Sequence, residues 1–243
     1  MNTDIAMEKF LKSLKEKLRP LYVPPRVIGG HDFTHCERMV SIGEKIDFLE
    51  FNRHEFEAVA WLHNLDRYLE TERGREITQE ELEKSVLSFL RESPFGKEAV
   101  ERILDAIREH PKKYDEPNDS TLLQALRIAD KVDRLNLHGV WVVASHAGSI
   151  LPPYDMENPF GFSSTPYRGL TTLLAAYIYV LEFYALLPSD AARALVDEAS
   201  FKRYIDFVRD FGALVARETR RRDEIEDKIA QALETHYPKF AQK

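Results

Sequence analysis

Four polar residues occupy positions that the helical pattern of the chain reserves for apolar side chains. They are His35, His63, His110 and Asp130, and each follows apolar neighbours at helical spacing on a different predicted helix. A polar group among apolar side chains must find a partner or it costs stability, and one alone is typical of a hydrogen-bonded core residue. Four together indicate a metal site, because imidazole and carboxylate groups bind Zn²⁺, Mn²⁺, Fe²⁺ and Ni²⁺.

The composition limits what such a site can be. Cys36 is the only cysteine, which excludes an intrachain disulfide and a structural zinc site built from thiolates. Few protein ligands and open positions would suit a catalytic ion that activates water. The net charge is −7 and the pI is about 5.7. Because nucleic acids and anionic membranes bind positively charged surfaces, we expect neither as a partner. With no signal-like N-terminal segment, we expect a cytoplasmic protein.

Helices must position these residues, since the chain has only 10 Gly and long amphipathic runs that predict an all-α fold. The second predicted helix begins at His31 or Asp32 and carries His35. The third runs from near Arg53 to Gly74 and carries His63. Thr78 and Glu81 are spaced as a capping box that opens a fourth helix.

The later helices bring the remaining polar residues. The fifth carries His110 and ends at Pro111; the sixth is capped by Asp119 or Ser120, carries Asp130 and continues, bent near Gly139, to about Ala147. The predicted domains are an N-terminal helix and linker (1–27), a helical core (28–147), an irregular loop that we interpret as an ordered flap (148–166), and C-terminal helices packed on the core (167–243). These last helices are predicted at about 167–186, 189–218 and 220–235.

Four blocks of this sequence resemble the HD-domain metal-dependent phosphohydrolases. His35–Val40 resembles the opening H-x-x-R-V, and Ala58–Arg67 the next block, apolar-L-H-D-I-x-R. Ile107–His110 is similar to a later helix that ends in histidine, and Ile128–Leu135 to the closing A-D-K-L-D. The blocks keep their order over about residues 28–140. The resemblance implies an HD-domain-like orthogonal helical bundle with additional C-terminal helices.

The resemblance also implies a ligand set of His35, His63, Asn64 and Asp130 around one divalent ion, which could be Mn, Ni, Fe, Zn or Mg. The pair His31-Asp32 reads as "HD" but precedes the first ligand. Asn64 stands where the family has its namesake aspartate. Because an amide offers a weaker, neutral oxygen, metal affinity should fall, and the two-metal oxygenase branch of the family is disfavoured.

The implied reaction is attack of metal-activated water on phosphorus in a small phosphorylated molecule, for which a nucleotide is one candidate. His110 is the candidate phosphate contact or acid, and Asp66 is either a substitute acceptor or a surface ion-pair partner. The candidate substrate-binding residues are His31, Arg67, Lys131 and Arg168. Arg38 and Arg134 are interpreted as structural.

Two other functions remain open from the sequence. A degenerate HD-domain protein would bind a phosphorylated ligand or metal without efficient turnover, and Asn64 favours this alternative. A helical interaction module would use the four polar residues only to connect its core. A homodimer is among the assemblies that the sequence allows.

Overall fold

The computed structural model describes residues 3–23, 26–27, 30–112, 115–148, 151–159 and 170–236. The regular elements of these residues are helices, which confirms the predicted all-α class. The chain divides into two compact units, residues 1–130 and 131–243, and the boundary falls inside a helix. The domain limits predicted from the sequence stay predictions.

The first unit is built around one short helix whose second half is buried. This helix, α3 (Arg53–Leu62), packs against α1 (Thr3–Leu18), α2 (Phe33–Glu44) and α6 (Lys97–Glu109). Its five consecutive residues from Ala58 to Leu62 are all buried, as expected for a helix with neighbours on every face. The unit also contains α4 (Leu65–Arg73), α5 (Gln79–Leu90) and most of α7 (Thr121–Arg134).

Two close contacts hold α3 in place. A Cβ atom added to Gly43 of α2 would lie 2.0 Å from the ring of Phe56, so the two helices approach at a distance that only glycine permits. On the other side, the buried carboxylate of Glu55 accepts two hydrogen bonds from Arg102 of α6, at 2.9 and 2.6 Å. These contacts fix the first turn of α3, at the end of the helix opposite to His63.

Three helices differ from their predicted course. The third predicted helix is two helices, because α3 ends at Leu62 and α4 begins at Leu65. The sixth ends at Arg134, and a new helix begins after Asn136, whose side chain accepts from Gly139 N at 3.3 Å. The predicted helix over 189–218 is interrupted, since its regular parts are 190–193 and 198–219. The capping box at Thr78 and Glu81 is confirmed.

The second unit contains α8 (Leu137–Ala147), α9 (Leu173–Ala185), α10 (Asp190–Arg193), α11 (Glu198–Thr219) and α12 (Arg222–His236). Tyr204 of α11 donates to the carbonyl of Tyr177 of α9 at 3.0 Å, which joins the two central helices. No described helix combines the length and apolarity needed to cross a bilayer. In the predicted flap, residues 149–150 and 160–166 lie outside the described residues, and the Pro152 carbonyl accepts from Leu173 N at 2.9 Å.

Candidate metal centre

Three of the predicted ligands lie together in the structure. The Nε2 atoms of His35 and His63 are 3.2 Å apart, and His35 Nε2 lies 3.6 Å from Asp130 Oδ1. The ligand atoms of all three residues lie within 4.8 Å of one another. Both histidines are buried, whereas the Asp130 side chain is 34% exposed, so the cluster is closed by the core and reaches solvent at the carboxylate.

The start of α2 fixes the position of His35. Asp32 is the N-cap of this helix, and its Oδ1 accepts from His35 N at 3.0 Å and from the Thr34 hydroxyl at 2.7 Å. The aspartate of the "HD" pair at 31–32 is therefore a helix N-cap. His31 is buried, with its ring centroid 6.3 Å from that of His35.

His63 and His110 share one local arrangement. Each directly follows the last residue of a helix, and each ring donates from Nδ1 to the carbonyl three residues earlier, Ala60 O at 2.9 Å and Ile107 O at 2.7 Å. Because a carbonyl oxygen only accepts, Nδ1 must carry the proton, and a neutral ring then has its lone pair on Nε2. A metal-binding histidine is commonly held by such a bond from its other nitrogen.

The surroundings keep these two rings neutral. Burial lowers the pKa of His63 well below its usual value of 6.5, and the neighbouring His35 and His110 lower it further. Burial also lowers the pKa of His110, although the Asp66 and Asp130 carboxylates oppose the effect. The two ring centroids are 5.3 Å apart. Both residues therefore present unprotonated Nε2 atoms near neutral pH.

The two separations measured from His35 Nε2 are close to those that a divalent ion requires. Two ligand atoms that each lie about 2.1 Å from one ion are about 3.0 Å apart at a right angle and about 3.4 Å apart at the tetrahedral angle. The separation of 3.2 Å between the two imidazole nitrogens falls in this range, and the 3.6 Å to the carboxylate lies just above it. Two neutral imidazoles and a carboxylate also suit the borderline divalent metals.

Comparison with protein families agrees with the geometry. Residues 32–135 match the family described as HD domain, and this range contains all three clustered residues. Residues 32–135 of the chain are therefore assigned to an HD domain. The recognition made from the four sequence blocks is thereby confirmed.

Solved structures share the fold of this chain. A Lactobacillus plantarum protein is 18% identical with a TM-score of 0.68, and the match covers 85% of this chain and 96% of that one. A Bacillus thuringiensis HD-superfamily hydrolase is 20% identical with a TM-score of 0.57, covering 87% and 97%. Bacillus subtilis YpgQ in complex with ADP is 17% identical with a TM-score of 0.54, covering 82% and 94%. A comparison with curated proteins finds no significant match.

Asn64, the departure from the HD pattern, lies at the break between α3 and α4. It is the N-cap residue of α4 and is only 3% exposed, yet its side chain makes no capping bond. Its Nδ2 is buried without an acceptor in the part of the chain that the structure describes. Its predicted role as a fourth ligand stays a prediction.

The next residues of α4 form a local polar group. Asp66 Oδ1 accepts from Arg67 N at 2.8 Å, and its other oxygen lies 3.6 Å from Arg67 Nε. Arg67 Nη1 also donates to Glu70 at 3.2 Å. The Asp66 carboxylate is close enough to influence the pKa of His110. Arg67 is thus paired with the acids of its own helix.

Three other predicted residues have different surroundings. Lys131 follows Asp130 on α7 and is buried. Arg168 lies outside the described residues. Arg38 donates to the Thr34 hydroxyl at 3.2 Å, a contact within α2 and its first turn that accords with a structural role. The substrate-binding roles of His31, Arg67, Lys131 and Arg168 stay predictions.

Sequence reasoning missed Arg127, a buried cation one turn before Asp130. Its guanidinium donates to Asp115 at 2.9 Å, to Asp119 at 2.5 Å and to the carbonyl of Glu109 at 2.7 Å. These bonds tie the end of α6, which carries His110, to α7. An arginine on the apolar stripe of a predicted helix was the available signal, since buried arginine requires acidic partners.

Tyr22 was missed as well. Its side chain is fully buried, and its hydroxyl has no hydrogen-bond partner among the described residues. Burial raises the pKa of Tyr22 well above its usual value of 10.0, and the Cys36 thiol and the Asp66 carboxylate add to the effect. The backbone carbonyl of Tyr22 accepts from Phe33 N at 3.0 Å, which places this residue beside the start of α2.

Proposed function

We propose that this HD domain holds one divalent ion with His35, His63 and Asp130 and hydrolyses a small phosphorylated substrate. The observation that carries the proposal is the pair of imidazole Nε2 atoms 3.2 Å apart beside a partly exposed carboxylate. The HD-domain family is one of metal-dependent phosphohydrolases, which supports this reaction type. When bound, such an ion supplies a water nucleophile at neutral pH and neutralises phosphoryl charge.

His110 contributes a proton acceptor in this proposal. Its lowered pKa and its Nδ1 bond to Ile107 O leave a lone pair on Nε2, so the ring can take a proton from the attacking water. This role differs from the phosphate contact or acid predicted from the sequence, since either would need a proton on Nε2. Asp66 would influence the reaction through its charge, because it raises the affinity of His110 for a proton.

A nucleotide is the substrate class that we favour. Bacillus subtilis YpgQ, which shares the fold, was solved in complex with ADP. In this chain, the side chain of Asp130 is 34% exposed. An ion held by this carboxylate would therefore be accessible to a phosphate group that enters from solvent. A substrate of this kind carries the phosphoanhydride or phosphoester bond that the proposed water attack would cleave.

The second candidate is a protein that binds a phosphorylated ligand or metal without efficient turnover. The observation that favours it is Asn64, whose neutral amide replaces the carboxylate of the HD pattern. Without that charge the site should bind its ion less tightly. A smaller fraction of the protein would then hold an ion at a given metal concentration.

The two candidates are separated by metal analysis and hydrolysis assays on one preparation. The protein is loaded with Mn²⁺, its metal content is measured, and release of phosphate or pyrophosphate from nucleoside mono-, di- and triphosphates is followed. His63→Gln removes a clustered histidine at the C-cap of α3, and His54→Gln is the matched control in the first turn of α3, where the side chain is not a cluster member. We expect metal binding and hydrolysis in wild type and in the control, and neither in His63→Gln.

Two results would change the conclusion. Less than about a tenth of an equivalent of metal in loaded wild type would refute the metal centre, because three intact ligands should retain an ion. Bound metal without hydrolysis of any nucleotide would support the second candidate.

A further inference from the structure

Building on the proposed function, we propose that Asn64 binds the substrate by donating from its amide Nδ2 to a phosphoryl oxygen, instead of serving as the fourth metal ligand. The amide is 3% exposed and its Nδ2 has no acceptor within the described residues. A buried donor without an acceptor costs stability, and that cost is removed when an acceptor arrives. An anionic oxygen is the strongest acceptor available in a phosphohydrolase site.

The local backbone explains why the amide is free for this role. Asparagine at an N-cap normally accepts hydrogen bonds from the first turn of its helix, which requires extended backbone angles. Asn64 has φ −101° and ψ 15°, and its side chain makes no capping bond. Asp66 supplies an acceptor to that turn instead, by binding Arg67 N at 2.8 Å. Asn64 therefore has no helix-capping function that would account for a polar side chain.

Asn64 is the sequence neighbour of one clustered residue. It directly follows His63, which caps α3 and lies in the ligand cluster. In the HD pattern that this sequence resembles, a carboxylate occupies this position. An amide at the same place can offer two N–H donors as well as its oxygen.

Charge favours the same assignment. Histidine ligands bind as neutral imidazoles, so His35, His63 and Asp130 together carry one negative charge. A divalent ion there leaves one net positive charge, whereas an aspartate at position 64 would cancel it. The asparagine thus weakens metal binding and strengthens the attraction for an anionic phosphate.

The experiment measures metal and phosphate binding separately by calorimetry, with Mn²⁺ and then with imidodiphosphate, a non-hydrolysable probe, on Mn²⁺-loaded protein. Asn64→Leu removes the donor at similar size, and Asn64→Ala is the second variant should the first not fold. Both should weaken imidodiphosphate binding by about tenfold, which is the worth of a hydrogen bond to a charged group. The Kd for Mn²⁺ should change by less than about threefold, because no ligand is lost.

Asn64→Asp gives the opposite pattern for the metal. It should tighten Mn²⁺ binding by about tenfold or more and weaken imidodiphosphate binding by a similar factor, since the new charge attracts one and repels the other. Asn52→Asp is the matched control. It makes the same charge change at the exposed N-cap of α3, where an aspartate can accept the same bonds from His54 N and Glu55 N.

Two outcomes overturn the inference, and they are distinguishable from failure of the proposed function. If Asn64→Leu and Asn64→Ala lose Mn²⁺ affinity, the amide is a metal ligand. If both bind imidodiphosphate as wild type does, the amide does not contact phosphate. Wild type that binds neither Mn²⁺ nor imidodiphosphate would instead overturn the proposed function, and the inference with it.

Discussion

Replacing Arg127 with methionine should destabilise the first unit by about 3 kcal/mol. The guanidinium is 2% exposed and binds two carboxylates, those of Asp115 and Asp119, whose side chains are 21% and 12% exposed. It also donates to the Glu109 carbonyl at 2.7 Å. Methionine keeps much of the apolar packing of the arginine stem, so the loss isolates the polar contacts.

The magnitude follows from how deeply each partner is buried. Removing one partner of a buried ion pair costs about 3–5 kcal/mol, because the other charge is left without compensation. The two aspartates retain some access to water, which places the expected loss at the lower end of that range. For a chain of this size, about 3 kcal/mol corresponds to a fall in Tm of roughly 6–12 °C.

Tryptophan fluorescence measures this loss in the correct part of the chain. The protein has two tryptophans: Trp61 lies in the core of the first unit and is 1% exposed, whereas Trp141 lies in the second unit and is 68% exposed. A red shift during urea unfolding therefore reports mainly on Trp61. A Trp141→Phe background removes the remaining signal, so that the transition of the first unit is followed alone.

Arg108→Met is the control for this measurement. The substitution is the same, but Arg108 is 40% exposed, and its pairs with Glu83 and Asp105 lie at the surface. We expect it to cost less than about 1 kcal/mol. If Arg127→Met also cost less than about 1 kcal/mol, the assignment of Arg127 as the link between α6 and α7 would be refuted.

Three further predictions concern the site and its support. Because the pKa values of His63 and His110 lie below 6.5 in the folded protein, the unfolded chain binds more protons near pH 6. The unfolding free energy of the metal-free protein should therefore decrease as the pH falls below about 6.5, by up to about 1.4 kcal/mol per pH unit for each histidine. Urea unfolding at several pH values measures this slope, and an unfolding free energy that does not change with pH would contradict the prediction. Gly43→Ala should cost more than about 2 kcal/mol although alanine is the better helix former, because its Cβ would meet the Phe56 ring, and adding Phe56→Leu should restore part of the loss in thermal unfolding. Asp130→Asn should weaken Mn²⁺ binding at least about tenfold by calorimetry, and unchanged affinity would exclude the carboxylate as a ligand.

The choice between one-ion hydrolase and binding protein depends on the electrostatics of the cluster. In the proposed site, His35 and His63 would supply neutral nitrogen ligands, and Asp130 would supply the only carboxylate among the clustered residues. A site with so little negative charge binds its ion less tightly than one with two carboxylates, but it attracts an anionic substrate more strongly when loaded. The measurements on Asn64 variants weigh these two effects directly.

Much of the fold class and the central ligand set follow from local sequence. Helical spacing predicts the all-α class, because a helix that buries one face must repeat its apolar residues every three to four positions. The same rule predicts His35, His63 and Asp130, since each interrupts an apolar stripe and must therefore face the core. The capping box at Thr78 is likewise a local feature, formed by residues three positions apart.

The tertiary structure alone decides features that depend on distant partners. The break between α3 and α4, at His63 and Asn64, cannot be recognised from the spacing of apolar residues. The residues on both sides of it are buried, and α3 packs against three other helices. The partners of Arg127 come from the end of α6 and the loop after it, eight to eighteen residues away, and the pattern of its own helix does not specify them. Local periodicity determines which face of a helix is buried, whereas the fold determines which groups meet there, and a metal site depends on both.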